Sequence, residues 1–422
     1  MSLPHQAGGA ASRPASAPQP AAAAPPRAGR WWMLAVLWLA RANMGFQFQA
    51  LPAVAPLLMR DLELNYAQAG LLFGLFMLPG VLLSIPAGLL GLAVGDRGAL
   101  LVNLGCMAAG GGLAGWGRGF ATVALGRVLS GVGGCMSNVQ ITKMTSDWFA
   151  GRELATAMGI LLVVWPVSQA LALVVLAGVA TAASWPVALL LTAAPPAACM
   201  ALVALCYRDP PGRPAAEAPA RQALAIGPRE AGLALMTGLN YALVNGGLVA
   251  FISFAPALLA EQGYTVVMAA TLASLLHWSR PAGLPLGGFL ADRTGRPAPQ
   301  IVLSCLVSAA AIAAVPHLAQ PGWALVLIGV TVGLPMAPLM ALPAEVLRPE
   351  ARRVGYGLFY TVLYGGYFLL PTLAGWLRDR TGDPAATAHF SALLVVLTVV
   401  SYLAFRALRG RAGRREARGD GA

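Results

Sequence analysis

Charge is what this chain lacks. Only 10% of its 422 residues are charged, against 58% hydrophobic, and the mean hydropathy is +0.70. So little charge excludes a disordered polyelectrolyte and an ordinary soluble domain alike. Lysine is nearly missing: Lys143 stands alone against 27 arginines. The sixteen carboxylates all fall in loops, tails or helix ends, Glu230 and Glu345 coming nearest the interior, so no buried acid is on offer to hold a cation or a proton. The five cysteines (Cys106, Cys135, Cys199, Cys206, Cys305) have no metal-type spacing, which argues against a zinc site or a disulfide framework. H-E-x-x-H, the G-x-S-x-G elbow and the Walker loop are all missing, so no catalytic residue, cofactor or metal is expected.

What the chain has is apolar length, punctuated by 49 glycines and 32 prolines. Twelve stretches approach the roughly 20 residues that cross a bilayer core. They span 31–59, 67–90, 98–116, 120–143, 154–179, 185–207, 231–259, 266–290, 299–317, 322–344, 354–377 and 388–408. Residues 1–30, rich in Ala, Pro, Ser and Gly, read as a disordered tail without a signal peptide. The polar stretch 208–229 reads as a linker between two six-helix bundles, 31–207 and 230–408, and 409–422 as a basic tail. The expected fold class is therefore an all-α membrane protein of twelve transmembrane helices in two pseudo-symmetric bundles. The net charge of +12 lies in loops and tails, which argues for anionic lipid and against nucleic acid as the partner. Counted by loop, 21 Lys and Arg fall on the side of both termini and four on the other, which predicts cytoplasmic termini. Arginine-rich, alanine-rich composition points to a bacterial cytoplasmic membrane.

The halves repeat at an offset near 200. Gly88 matches Gly288, Leu90 matches Leu290, Gly95 matches Gly295, Asp61 matches Glu261, and Tyr241 matches Arg41. The second copy, Gly288-Phe289-Leu290-Ala291-Asp292-Arg293-Thr294-Gly295-Arg296, resembles the signature loop of the major facilitator superfamily of secondary transporters. In that family the loop is a gate, which implies gating roles for Gly288, Asp292, Arg293, Gly295 and Arg296. The first copy has Leu92 and Ala93 where Asp-Arg is expected, with Asp96-Arg97 following. Arg127 opens Arg127-Val-Leu-Ser-Gly131, similar to the family's R-x-x-x-G motif, and implies packing and gating for Arg127 and Gly131.

Two further arginines are left at mid-membrane. Arg41 lies roughly 15 Å along its helix, and Arg280 about 18 Å from Asp292, at ~1.5 Å per residue. With no carboxylate at that depth, their partners are backbone carbonyls, water or a bound anion. A guanidinium suits bidentate capture of carboxylate, nitrate or cyanate; the alternative is a brace between helices. His277, one turn from Arg280, reads as a proton-coupling group or as a neutral, hydrogen-bonded lining residue. Tyr356, Tyr360, Tyr364 and Tyr367 recur at helical spacing, and Tyr241, Asn245, Trp165 and Gln169 share mid-depth. The predicted substrate contacts are Arg280, Arg41, Tyr241, Asn245, Trp165, Gln169, Tyr360, Tyr364 and His277.

The stretches Thr142–Glu153, Trp165-Pro166 and Leu342–Glu350 resemble the cyanate and nitrate/nitrite branch of the superfamily. In nitrate carriers of that branch, arginines on helices 2 and 8 embrace the anion. Arg280 stands on helix 8 here, but the repeat-equivalent position on helix 2 is Gly80, so Arg41 on helix 1 has to substitute. The expectation is a monomeric secondary transporter of a small organic or inorganic anion, uptake favoured, with a proton or counter-anion as the candidate coupling ion. The alternatives are an exporter of neutral or amphipathic compounds and a non-transporting sensor on the same scaffold.

Overall fold

The computed structural model describes residues 27–83, 87–149, 153–208, 226–348 and 351–417. Most of the expected disordered tail, most of the linker and the last residues of the basic tail lie outside these. Sixteen α-helices account for almost all the rest. The first half holds α1 (Arg27–Phe48), α2 (Ala50–Asp61), α3 (Tyr66–Gly74), α4 (Leu78–Leu83), α5 (Ala87–Trp116), α6 (Phe120–Trp148), α7 (Leu154–Ala182), α8 (Trp185–Leu191) and α9 (Ala194–Cys206). The second holds α10 (Pro228–Glu261), α11 (Val266–Thr294), α12 (Pro297–Ala314), α13 (Gly322–Gly333), α14 (Met336–Val346), α15 (Arg352–Thr381) and α16 (Ala386–Ala417).

The helices outrun the sequence-derived ends where an apolar run can propagate into polar flanks. Arg27–Arg30 form the first turn of α1 instead of tail, Pro228 and Arg229 open α10 instead of closing the linker, and α16 runs on through Ala417. Ten helical runs among the described residues are long and apolar enough to cross a membrane. The runs Arg27–Asp61 and Val266–Thr294 are not among them, and these carry Arg41 and Arg280. Arg41 and Arg280 are among the polar residues that dilute those two runs.

Several crossings are broken in mid-membrane, each shortly before a proline, and the breaks are repaired by side chains. A proline has no N–H for the carbonyl four residues earlier, and in a membrane that carbonyl must find another donor. Pro52 frees Phe48 O, which accepts from Arg127 Nη2 at 3.2 Å. Pro196 frees Thr192 O, which accepts from Gln47 Nε2 at 2.9 Å. Pro338 frees Leu334 O, which accepts from Gln300 Nε2 at 2.9 Å. Buried polar residues therefore let the prolines stay.

For orientation, the end where α1 begins and α16 finishes is called here the terminal end, and the opposite one the far end. The halves meet tightly toward the far end, where α3 lies on α15. A Cβ on Gly70 would come within 2.3 Å of Pro371 O, one on Gly74 within 2.1 Å of Phe368 O, and one on Gly375 within 2.1 Å of Tyr66 O. Glycine at these positions is what lets the two backbones approach.

Candidate functional site

Arg127 is spent on structure. Its Nη1 donates to Gln47 O at 2.6 Å, its Nη2 to Phe48 O and Phe73 O at 3.2 and 3.1 Å, and its Nε to Leu72 O at 3.2 Å. Those carbonyls belong to the breaks after α1 and α3. The guanidinium also lies 4.8 Å from the centroid of the Phe76 ring. One turn on, Gly131 lets α6 meet α3's end, since a Cβ there would stand 2.1 Å from Phe76 O. Every nitrogen of Arg127 has a protein acceptor.

Arg280 is held differently. It is 7% exposed on α11, and Nη2 donates to Asn245 Oδ1 of α10 at 2.8 Å. Met336 Sδ lies 3.8 Å from the same nitrogen and accepts from Asn245 Nδ2 at 2.9 Å. Nε is buried with no partner, and Nη1 bonds to no group among the described residues. Asn245 thus orients the guanidinium through one nitrogen and leaves the rest of the fork free. Arg41 makes one long bond, Nη1 to Thr142 Oγ1 of α6 at 3.4 Å, and its Nε is also without a partner.

The tyrosines of α15 join these two arginines. Tyr360 and Tyr364 are within electrostatic range of Arg41, and Tyr367 and Tyr241 within range of Arg280. Tyr360 stacks on Tyr364 at 6.0 Å, and Tyr364 Oη accepts from Asn138 Nδ2 at 3.3 Å across the two halves. Phe48 connects Trp165 to Tyr367 at 5.6 and 6.3 Å. Exposure falls from Thr142 (exposed) through Arg41 and Tyr360 (half-buried) to Arg280 (buried), so the cleft opens toward the terminal end with Arg280 as its floor. No carboxylate among the described residues contacts either arginine. The arrangement can hold an anion and offer phenol, amide and hydroxyl groups to its neutral parts.

Gly80, on α4 in the second apolar stretch, is packed too closely to be replaced by an arginine without a shift. A Cβ there would stand 2.8 Å from the Tyr364 ring and 3.0 Å from Cys135 Sγ. Tyr364 occupies the space that a longer side chain at position 80 would need.

The remaining predicted residues fall in several places. Tyr241, Asn245, Tyr360 and Tyr364 gather around the arginines, and Trp165 stands against Phe48. Gln169 points instead to Gln49 Oε1, 3.4 Å away at the α1–α2 break, and His277 is buried one turn behind Arg280. The loop residues Gly288, Asp292, Gly295 and Arg296 line a cavity of about 860 Å³ at the terminal end of the second half, between α11, α14 and α16. Asp292 is exposed without a partner among the described residues, and Arg293 lies 5.8 Å from the Phe289 ring.

The first loop is engaged even though its motif is degraded. Gly95 and Gly295 both hold positive φ, 73° and 60°, which favours glycine in each copy. Asp96 is 2% exposed and accepts from Lys143 Nζ at 2.8 and 2.9 Å and from Gln140. The acid has moved along the chain and meets the one lysine.

Sequence reasoning missed the contact between the halves. At the far end Tyr66 Oη meets Glu261, which also accepts from Arg378 Nη2 at 2.6 Å. Asp379 caps α3 from the other half, accepting Tyr66 N at 2.9 Å and Ala67 N at 2.8 Å. The repeat match of Asp61 with Glu261 was the available signal, but Asp61 pairs with Trp185 Nε1 at 3.1 Å. Thr142 and Met336 also escaped notice as partners of the arginines.

A family model described as Major Facilitator Superfamily matches residues 37–371. The chain is 25% identical to the "Putative tartrate transporter" of Agrobacterium vitis, over 90% of this chain and 92% of that protein. It is 23% identical to the "Hexuronate transporter" of Bacillus subtilis (strain 168), over 84% and 90%. Its fold matches the crystal structure of a bacterial homologue of the human lysosomal transporter Spinster, inward-facing and unoccupied. That match has a TM-score of 0.71 and 18% identity and covers 92% and 98% of the two chains.

Proposed function

The chain belongs to the major facilitator superfamily, a family of transporters, and from that premise we propose that it carries a small organic carboxylate by alternating access. The observation that carries this reading is Arg280, a buried cation with free donors, aimed by Asn245 and facing no acid. An empty site leaves it poorly solvated, and a carboxylate supplies the planar, charge-assisted partner it lacks. Arg41 comes from the other half, so an anion between them draws the halves together and ties occupancy to rocking.

A hydroxy-carboxylate is the favoured class. Tyr241, Tyr360, Tyr364, Asn138 and Thr142 surround the arginines with groups that both donate and accept, more than nitrate or cyanate can use. Two relatives are named for tartrate and hexuronate, each a carboxylate with hydroxyls. Gly80 under Tyr364 also speaks against the paired-arginine arrangement of nitrate carriers. With both termini in the cytoplasm of a bacterium, as the arginine distribution favours, the cleft faces inward in this state; uptake is the direction this reading favours, set by the driving gradient and not by the state.

The test is thermal stabilisation of purified protein with L-tartrate, D-galacturonate, nitrate and a lipophilic drug. A ligand at 100 times its Kd stabilises by about 2.7 kcal/mol, readily seen as a rise in Tm. A rise with tartrate or galacturonate alone is expected. A rise with nitrate alone would return the chain to the inorganic-anion branch, and a rise with the drug alone would favour export of amphipathic compounds.

A further inference from the structure

His277 is a titratable side chain beside Arg280 to which the anion site gives no task. It precedes Arg280 by one turn of α11 and is 1% exposed, and neither Nδ1 nor Nε2 has a hydrogen-bond partner among the described residues. A neutral imidazole has one donor and one acceptor, and leaving both unmet in the interior is costly. A group kept at that cost merits a mechanistic reading.

The charges around it are few. Arg280, on its own helix, acts on it electrostatically. Of the helices packed against α11, α7 and α13 carry no ionisable side chain and α12 carries only Cys305. From α10, Tyr241 reaches mid-depth. Glu345 of α14 pairs with Arg409 at the terminal end, and Arg60 and Asp61 of α2 pair with each other at the far end. With the cleft empty, an imidazolium at position 277 would stand beside the Arg280 guanidinium with no anion to offset either. Burial is the larger obstacle to charging this imidazole and Arg280 the second; a carboxylate bound to Arg280 lowers the local charge by one and offsets the second.

We propose that His277 takes up a proton when the anion binds, so that the protein carries proton and anion together. This rests on the anion reading of Arg280 given above. The proton comes from solvent, reaching the buried imidazole past Arg280, and forms an N–H bond on it. When the carboxylate leaves, repulsion from Arg280 returns the proton to the side on which the anion was released. Linkage fixes the sign: if the anion promotes protonation, protonation must promote anion binding, so affinity rises as pH falls.

Isothermal titration of the full-length protein with tartrate or galacturonate, whichever stabilises it, tests this. The titrations run from about pH 5.5 to 8, where free carboxylates stay ionised, in two buffers of different ionisation enthalpy. Up to one proton should be taken up per anion bound, with Kd weakening by up to about tenfold per pH unit toward alkali. His277→Gln and His277→Asn should still bind, with no proton uptake and a flat Kd, and in proteoliposomes a pH gradient should no longer drive accumulation. The buffer comparison on wild type needs no variant, so a misfolded substitution leaves the test intact. Anion binding by wild type without proton uptake would overturn the proposal alone, as would a glutamine variant that keeps the uptake. No anion binding at all would overturn the anion reading, and this proposal with it.

Discussion

Arg127 and Arg280 are both buried guanidiniums, one in each half, and their surroundings differ in kind. Around Arg127, four carbonyls released at helix breaks take every nitrogen. Around Arg280, one amide takes one nitrogen, a thioether lies at the edge of reach, and Nε has nothing. Burial and charge are alike at the two sites, so neither distinguishes a structural arginine from a binding one. The count of acceptors differs, and on the function proposed above that difference marks Arg280 as the binding one. A brace is saturated by its own protein, whereas a binding group is held at one point and left unfilled elsewhere.

The comparison can be broken most severely at Arg127. Arg127→Ala strands its carbonyls in mid-membrane, at a cost of roughly 3–5 kcal/mol in stability, visible as a large fall in Tm or a failure to purify as folded protein. Arg280→Ala should leave Tm nearly unchanged and weaken anion binding by about 2–5 kcal/mol. Gly80→Leu sharpens the contrast from the other side. It pushes Tyr364 off its seat, which should cost roughly 1–3 kcal/mol by overpacking and weaken binding while both arginines remain. Glu261→Gln removes the charge that joins Tyr66 and Arg378 at the far end. That pair is partly exposed, its Glu261 side chain being 35% accessible, so screening limits the loss to about 1 kcal/mol or less. Its readout is greater labelling of a cysteine placed at the far end of the cleft. Asp292→Asn should alter stability least, within about 0.5 kcal/mol, because Asp292 is exposed and unpartnered among the described residues. It should slow transport and spare binding. The same change at Asp96 should destabilise, since that acid is buried against Lys143.

Much of this was legible in sequence because the bilayer leaves few options. Apolar runs fixed by hydrocarbon thickness give the helices, and the family model over residues 37–371 and the structural match bear out the fold. Arg41 and Arg280 stood out because a charge in such a run is costly and rarely idle. What stayed hidden depends on geometry across long sequence distances. Nothing in the sequence around Arg127 says that it reaches Phe48 and Phe73, 79 and 54 residues away. Gln47 and Gln300 look like ordinary polar residues until the carbonyls released by Pro196 and Pro338 are located. Asp96 looked like a lost motif because its register had slipped, and only its contact with Lys143 reveals an engaged loop. The Glu261–Tyr66 contact requires two halves to be docked, which no local pattern encodes.

The central claim is that Arg280 is unsaturated because it awaits an anion. Its most direct test is tartrate or galacturonate affinity, measured by isothermal titration, in wild type, Arg280→Lys and Arg280→Ala, with Tm recorded for each. Lysine keeps the charge but loses the planar fork, so the lysine variant should bind weakly and the alanine variant hardly at all, both with a Tm close to wild type. Wild-type affinity in the alanine variant, or a collapse of its Tm like that expected for Arg127→Ala, would contradict the account.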